Sequence, residues 1–331
     1  MFIPKYIYWE LCNYCNLSCK HCFANSNMHG SCFADSELLW AKIVEINANQ
    51  HVPIRFGGGE PFLYPGLFDL LEKSYQAGFP ISITTNGTLL SNQNIENLKK
   101  FGLESLTISI DGTEKYHDKL RGTGNFARAV LGLGRAVEAQ LKPSVSFTIT
   151  SFNYENLMDY VALFYQKNIR EFYFFRYIPD VSGKRSIKLA LNKSQLMDAS
   201  MTIKKLELLY PDVRFHYEKK GFLSFLIDEK DISASCKFVK GTVTIKYDGT
   251  VVVCAAISKG LGNIYTDSLN HIYETIAREI DCINCVPSSC QGCHLESICR
   301  GGCKSHSYIC YEDYSHSDDC CYKELLKSHT T

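Results

Sequence analysis

The stretch CNYCNLSCKHCF, residues 12–23, puts four cysteines into eleven positions. Two triplets can be read from it. Cys15, Cys19 and Cys22 have the spacing C-x3-C-x2-C, and Cys12, Cys15 and Cys19 have C-x2-C-x3-C. Three thiolates on one tight loop suit three corners of a cubane iron–sulfur cluster and leave the fourth iron open to an outside ligand. A zinc loop uses similar spacings. The stretch follows residues 6–11, YIYWEL, a short apolar run that reads as a strand.

Working outward, the chain has 331 residues, enough for about two domains. Lysine plus arginine and aspartate plus glutamate both number 35, so zero net charge argues against a nucleic-acid track or an anionic membrane surface. The start, MFIPKYIYWEL, lacks the parts of a signal peptide, and no apolar run reaches the ~18 residues of a membrane span. A cytoplasmic protein is expected. In a reducing compartment clustered thiols hold metal more often than they form disulfides. The 16 cysteines are also segregated: five lie in residues 12–32, eleven in 236–321, and none between.

The middle of the chain alternates short apolar runs with longer amphipathic segments. Strands are expected at residues 6–11, 54–56, 81–85, 105–110, 144–150 and 171–177. Helices are expected at 36–49, 66–77, 91–101, 126–140 and 154–167. Such alternation implies parallel strands with helical crossovers, here an α/β fold with a partial (β/α)6 TIM-like barrel. Chemistry in such folds sits at the C-terminal ends of the strands. A core over residues 1–180 is expected to lead through a linker or helical bridge, 181–235, into a cysteine-rich unit over 236–331. The bridge holds a helix at 195–209 with Ser194 as a possible cap. Residues 236–256 read as a hairpin turning at Asp248–Gly249.

Further short motifs end the expected strands: GGGEP (57–61), TTNG (84–87) and SIDG (109–112), followed by HDKLRG (117–122). With C-x3-C-x2-C and the aromatic Phe23, their order resembles the radical S-adenosylmethionine (SAM) superfamily. The resemblance implies that Cys15, Cys19 and Cys22 hold a [4Fe–4S] cluster whose open iron is chelated by SAM, with Cys12 a bystander. It implies SAM contacts from Phe23, Gly58, Gly59, Glu60, Asn86, Ser109, Asp111 and Arg121. Glu60 would receive the ammonium, Ser109 would make a polar contact, and Arg121 would meet the carboxylate. For Asn86 and Asp111 a turn-forming role is equally open, and His117 reads as structural.

The second group of cysteines resembles the SPASM extension of peptide-modifying radical SAM enzymes. Cys236 and Cys254 flank the hairpin, and Cys290, Cys293, Cys299 and Cys303 follow as C-x2-C-x5-C-x3-C. The resemblance implies two auxiliary [4Fe–4S] clusters, making three in all. Cys236, Cys254 and Cys303 would serve the first, with an open iron or a fourth ligand from Cys282, Cys285 or Cys310. Cys290, Cys293, Cys299 and Cys320 would serve the second, with Cys321 as the alternative. Among the remaining thiols, Cys32, Cys282, Cys285 and Cys310 are candidate hydrogen-atom donors.

The resemblance implies an enzyme that cleaves SAM to a 5′-deoxyadenosyl radical and abstracts hydrogen from a substrate. The leading expectation is a ribosomally made peptide that is cross-linked, joined by a thioether or epimerised. A separate leader-binding protein and a flavodoxin or ferredoxin electron donor are expected partners, with no nucleic acid and no membrane. Alternatives are formylglycine formation on a sulfatase, oxidation or epimerisation of a sugar or aminocyclitol, and a non-catalytic iron–sulfur or zinc scaffold.

Overall fold

The computed structural model describes residues 2–48, 50–179, 186–217, 236–257, 259–318 and 321. Seven strands lie side by side in chain order: β1 (Tyr6–Glu10), β2 (Ile54–Gly57), β3 (Ile81–Thr85), β4 (Ser105–Ser109), β5 (Ser144–Ile149), β6 (Glu171–Arg176) and β7 (Arg214–Tyr217). Every neighbouring pair among them is parallel. This is the expected partial barrel, open at β7, with one more parallel strand than the sequence suggested.

The crossovers are α1 (Ser36–Asn47), α2 (Leu67–Gln76), α3 (Asn92–Lys99), α4 (Glu114–Arg121), α5 (Asn125–Glu138), α6 (Leu157–Tyr165) and α7 (Lys193–Leu209). Most of them bury an apolar stripe. In α6 the stripe is Leu157, Tyr160, Val161 and Phe164, all fully buried, the spacing of one helix face. The cap of α7 is Asn192, not Ser194. Its side chain accepts from the Gln195 amide at 2.9 Å while Gln195 accepts from the Asn192 amide at 3.1 Å, a reciprocal box that satisfies two otherwise orphaned donors.

The first strand sorts its side chains by alternation. Ile7 and Trp9 are buried with the helices, while Tyr6, Tyr8 and Glu10 share the opposite face, toward the barrel interior. β1 is also paired on its other side. β8 (Thr242–Ile245) runs parallel to it, followed by antiparallel β9 (Thr250–Val252) and β10 (Gly260–Asn263), making one ten-stranded sheet. The expected hairpin therefore extends the core sheet. Gly249 supplies its turn at φ +82°. Beyond it come α8 (Leu269–Ile283), the single turn α9 (Glu296–Cys299) and α10 (Lys304–Tyr311).

Candidate active site

The loop leaving β1 is pinned to the strand ends by its own backbone. The Leu11 amide donates to Gly57 O at 2.9 Å, Cys15 N to Asn27 O at 3.0 Å, and Lys20 N to Leu120 O at 3.0 Å. Cys15 is buried and Cys19 and Cys22 half-buried. Donors approach the sulfurs: Leu17 N lies 3.4 Å and Asn86 Nδ2 3.8 Å from Cys15 Sγ, and Arg121 Nη1 lies 4.0 Å from Cys19 Sγ. Burial pushes these thiols up, Cys15 to about 12 and Cys19 to about 11. Thiolates here need a cation to compensate their desolvation, and iron would supply it. Among the described residues no three Cys, His, Asp or Glu side chains converge as a single metal ion requires, whereas a cubane takes one cysteine at each of three separate corners. The donor set suits such a cluster. Cys12 faces away from this role: its Sγ lies 3.3 Å from Tyr14 O and 3.8 Å from Glu60 O.

The GGGEP turn packs against the cysteine loop. A Cβ on Gly59 would lie 1.9 Å from Tyr14 O, and one on Gly57 2.3 Å from the Tyr8 hydroxyl. The Gly59 amide donates to Cys12 O at 2.7 Å and Glu60 N to Tyr14 O at 2.9 Å. Glu60 is fully buried, and its carboxylate accepts from Thr85 Oγ1 at 2.6 Å, Asn86 N at 2.8 Å and Phe62 N at 3.2 Å. That fills three of about four acceptor positions. Burial still pushes Glu60 up to about 7. Asn86 accepts from Thr88 N at 2.9 Å and donates to Asn16 Oδ1 at 2.9 Å, so it closes a turn and ties that turn to the cysteine loop.

Asp111 is the buried hub of the next strand end. Its carboxylate takes the Arg121 Nε–H, meets His21 Nε2 at 2.9 Å and accepts from Thr148 N at 2.7 Å. Burial alone would raise Asp111, but Arg121 and His21 outweigh it and hold the carboxyl well below the usual range. The guanidinium beside Cys19 is thus fixed from behind by a carboxylate. His117 is buried, and its Nδ1 accepts from Asp111 N at 3.2 Å. Burial and then Arg121 push it down to about 4, so it is neutral at pH 7. Ser109 is half-buried at the end of β4 and accepts from Ser146 Oγ at 3.1 Å. Phe23 is 45% exposed beside the Tyr8 ring.

Two interior residues escaped the sequence reading. Arg55 spans the floor of the barrel: Nε donates to Tyr6 at 2.6 Å, Nη1 to Thr107 at 2.6 Å and Thr84 at 3.2 Å, and Nη2 to Ser105 at 2.9 Å. Glu10 ends β1 with 1% exposure, and its Oε1 has no hydrogen-bond partner. Burial pushes it up to about 7. The available signal was a lone acid at the end of YIYWEL, where a parallel fold places its chemistry.

Residues 9–164, which include the loop and these strand ends, match the Radical SAM superfamily. The chain carries a radical SAM domain. Over 96% of its length it is 24% identical to the AdoMet-dependent heme synthase of Methanosarcina barkeri, covering 96% of that protein. It is 29% identical to the mycofactocin maturase MftC of Mycobacterium ulcerans over 48% of this chain and 44% of that one. Its fold superposes on Streptococcus suis SuiB bound to precursor peptide SuiA with TM-score 0.79 and 20% identity, covering 96% of this chain and 76% of SuiB. At that identity the likeness to SuiB is one of fold. A chain that carries this domain is an enzyme that uses SAM with a [4Fe–4S] cluster. Among its described residues no helix is long and apolar enough to cross a membrane.

The radical SAM core meets the C-terminal cysteines through β6. Arg176, at the end of that strand, pairs with Asp318 at 2.7 Å, both side chains almost wholly buried. Asp318 also accepts from Cys303 N at 3.2 Å. Burial pushes Cys303 up to about 12 against the opposing pull of Arg176, and nearby Cys254 adds to the rise. Cys236 and Cys254 are half-buried. Burial likewise raises Cys290, with Cys321 and Cys293 close enough to add to it. Cys320 lies outside the described residues. Buried Lys304 donates to Cys285 O at 2.9 Å and Tyr314 O at 2.7 Å. Of the candidate hydrogen donors, Cys32 and Cys282 are exposed, Cys285 Sγ lies 3.2 Å from Tyr314 O, and Cys310 Sγ lies 3.8 Å from His306 Nε2.

Proposed function

We propose that this radical SAM enzyme modifies a ribosomally synthesised peptide by cross-linking, thioether formation or epimerisation, and that it holds three [4Fe–4S] clusters. The peptide reading rests on the likeness in fold, over 96% of the chain and through its cysteine-rich end, to SuiB bound to a precursor peptide. Similarity to the maturase MftC supports it. In this reading the chain is a core over 1–180, a bridge over 181–235 and a SPASM unit over 236–331. Cys15, Cys19 and Cys22 hold the cluster that binds SAM. When bound, SAM and that cluster supply the radical that removes a substrate hydrogen. Glu60 and Asn86 brace the cysteine loop, Asp111 and His21 fix Arg121 beside Cys19, and Ser109 offers a hydroxyl from β4.

Cys236, Cys254 and Cys303 hold the first auxiliary cluster. Cys290, Cys293 and Cys299 hold the second with Cys320, or with Cys321 as the alternative. A leader-binding protein and a flavodoxin or ferredoxin donor remain the partners this reading calls for.

A second reading, chemistry on a porphyrin, is favoured by one observation. The heme synthase match runs through 96% of both chains, while the MftC match covers 48% of this one. The test is anaerobic reconstitution with iron and sulfide, then SAM, a reductant and either a candidate peptide or a porphyrin. Mass spectrometry would follow 5′-deoxyadenosine and the substrate, beside a Cys15/Cys19/Cys22→Ala variant. Peptide-dependent product lost in the variant is expected. Turnover of porphyrin alone would move the assignment to the second reading, and failure to take up iron would sink both.

A further inference from the structure

Lys304 opens α10 and is only 4% exposed. Its ammonium donates to Cys285 O at 2.9 Å and Tyr314 O at 2.7 Å, and Cys285 Sγ lies 3.7 Å away. These contacts use its three protons. None of them is a carboxylate, and among the described residues Lys304 makes no ion pair. Asp313, an acid within electrostatic range, is exposed to water. The first residue of a helix also faces the positive end of its dipole, which disfavours a cation. A buried ammonium bonded to neutral groups still lacks an opposite charge.

The groups whose charge would offset it are thiols: Cys285, Cys290 and Cys299. Cys290 and Cys299 are two of the ligands assigned above to the second auxiliary cluster, and the inference rests on that reading. The stretch fits such a group. Cys290 is itself buried, and turns closed from Cys293 N to Cys290 O at 3.0 Å and from Cys299 N to Leu295 O at 2.7 Å gather the three cysteines. A [4Fe–4S] cluster on thiolates is an anion that gains one more negative charge on reduction, and net charge around it sets its potential. We infer that Lys304 is the buried counter-charge of the second auxiliary cluster and raises its reduction potential by favouring the reduced form. The two carbonyls fix where the ammonium sits, and its charge acts on the cluster.

The experiment is a reductive titration of the anaerobically reconstituted full chain, followed by electron paramagnetic resonance. A Cys15/Cys19/Cys22→Ala background removes the signal of the first cysteine loop, and the signal lost in Cys290→Ser identifies the second auxiliary cluster. Lys304→Gln keeps a donor for the carbonyls and drops the charge, while Lys304→Arg keeps the charge. The glutamine variant is expected to lower that cluster's midpoint by about 59 mV or more, tenfold in a one-electron equilibrium. The arginine variant is expected to stay near wild type. No shift with glutamine, an equal shift in both variants, or a shift confined to the other auxiliary cluster would overturn the inference. Loss of that cluster's iron with glutamine but not with arginine would uphold the need for the charge. Loss in both would show a purely structural lysine and overturn it. Iron content of the wild type reports separately on the reading beneath: a chain that takes up no auxiliary cluster would sink that reading, and the inference with it.

Discussion

The unpartnered carboxyl of Glu10 makes a prediction about the metal-free protein that needs no SAM and no substrate. Burial raises Glu10 from 4.5 to about 7, so the folded chain holds its proton over a range in which the unfolded chain has lost it. Stability must then fall as pH rises from about 4.5 through about 7, because the folded state binds more protons there. A gap of two to three pK units corresponds to about 3 kcal/mol at the plateau. Glu10→Gln removes the titration and keeps the shape. Below about pH 4.5 both side chains are neutral and the two proteins are expected to be equally stable. Above about pH 7 the variant is expected to be more stable, by up to about 3 kcal/mol. Urea unfolding of reduced, metal-free protein between pH 4 and pH 8 reads this directly. The cysteines titrate in both proteins and cancel in the difference. Lys246 opposes the rise and Asp248 adds to it, but burial is the largest cause. An advantage independent of pH, or a less stable variant at pH 8, would refute the claim that burial dominates at Glu10.

Four other outcomes follow from the site. Asp111→Asn leaves Arg121 buried without its carboxylate and is expected to cost about 3–5 kcal/mol in denaturant unfolding; the wild type loses this contribution as pH falls below the ordinary carboxylate range, and the variant has none to lose. Asp318→Asn weakens the buried pair with Arg176 and is expected to lower stability in denaturant unfolding, while Arg176→Met combined with Asp318→Leu is expected to cost less than the two single changes together, as a double-mutant cycle would show. Gly59→Ala drives a Cβ to 1.9 Å from Tyr14 O, so displacement of the cysteine loop and loss of bound iron are expected in metal analysis of the purified protein. Cys320→Ser is expected to remove one cluster's iron where Cys321→Ser does not, and the reverse result in metal analysis would make Cys321 the ligand.

The core strands were legible because their period is simple and their ends carry the glycines and turn residues that parallel crossovers demand. Strand β3 coincides with its expected span, and the others differ only at their ends. What the sequence hid was hidden by polarity. Helix α4 lies in EKYHDKLR, where only His117 and Leu120 are buried, too narrow a stripe for periodicity to reveal. Strand β7, RFHY, has no fully buried side chain. In α8 the buried face runs Ile272, Ile276, Glu279 and Ile283, and the acid breaks the apolar pattern. That acid is held by Lys259 at 2.7 Å and the Tyr314 hydroxyl at 2.7 Å, partners distant in sequence. The site shows the same limit. Motif order picked out the cysteine loop and the strand ends that surround it, but hydrogen-bond partners divide the roles there. Asn86, Glu60 and Asp111 all look like ligand contacts in a motif, and each is already engaged by neighbours that spacing cannot reveal.

One feature of the topology joins the two ends of the chain. Strand β1 is flanked on both sides by parallel partners, β2 and β8. The loop with Cys15, Cys19 and Cys22 leaves it on one side of Glu10, and the hairpin leading to Cys254 is built on its other edge. The cysteine-rich end therefore starts from a strand with a fixed register, Trp9 opposite Ile245. Slipping that register by one residue would turn every side chain of β8 to the wrong face, putting the buried hydroxyl of Thr244 where Val243 and Ile245 now pack. At the far side of the barrel, the Arg176–Asp318 pair makes a second attachment, almost wholly out of water. Two attachments hold the segment where one would leave it free to pivot, so the distance from the first cysteine loop to Cys254 and Cys303 is set by the core itself.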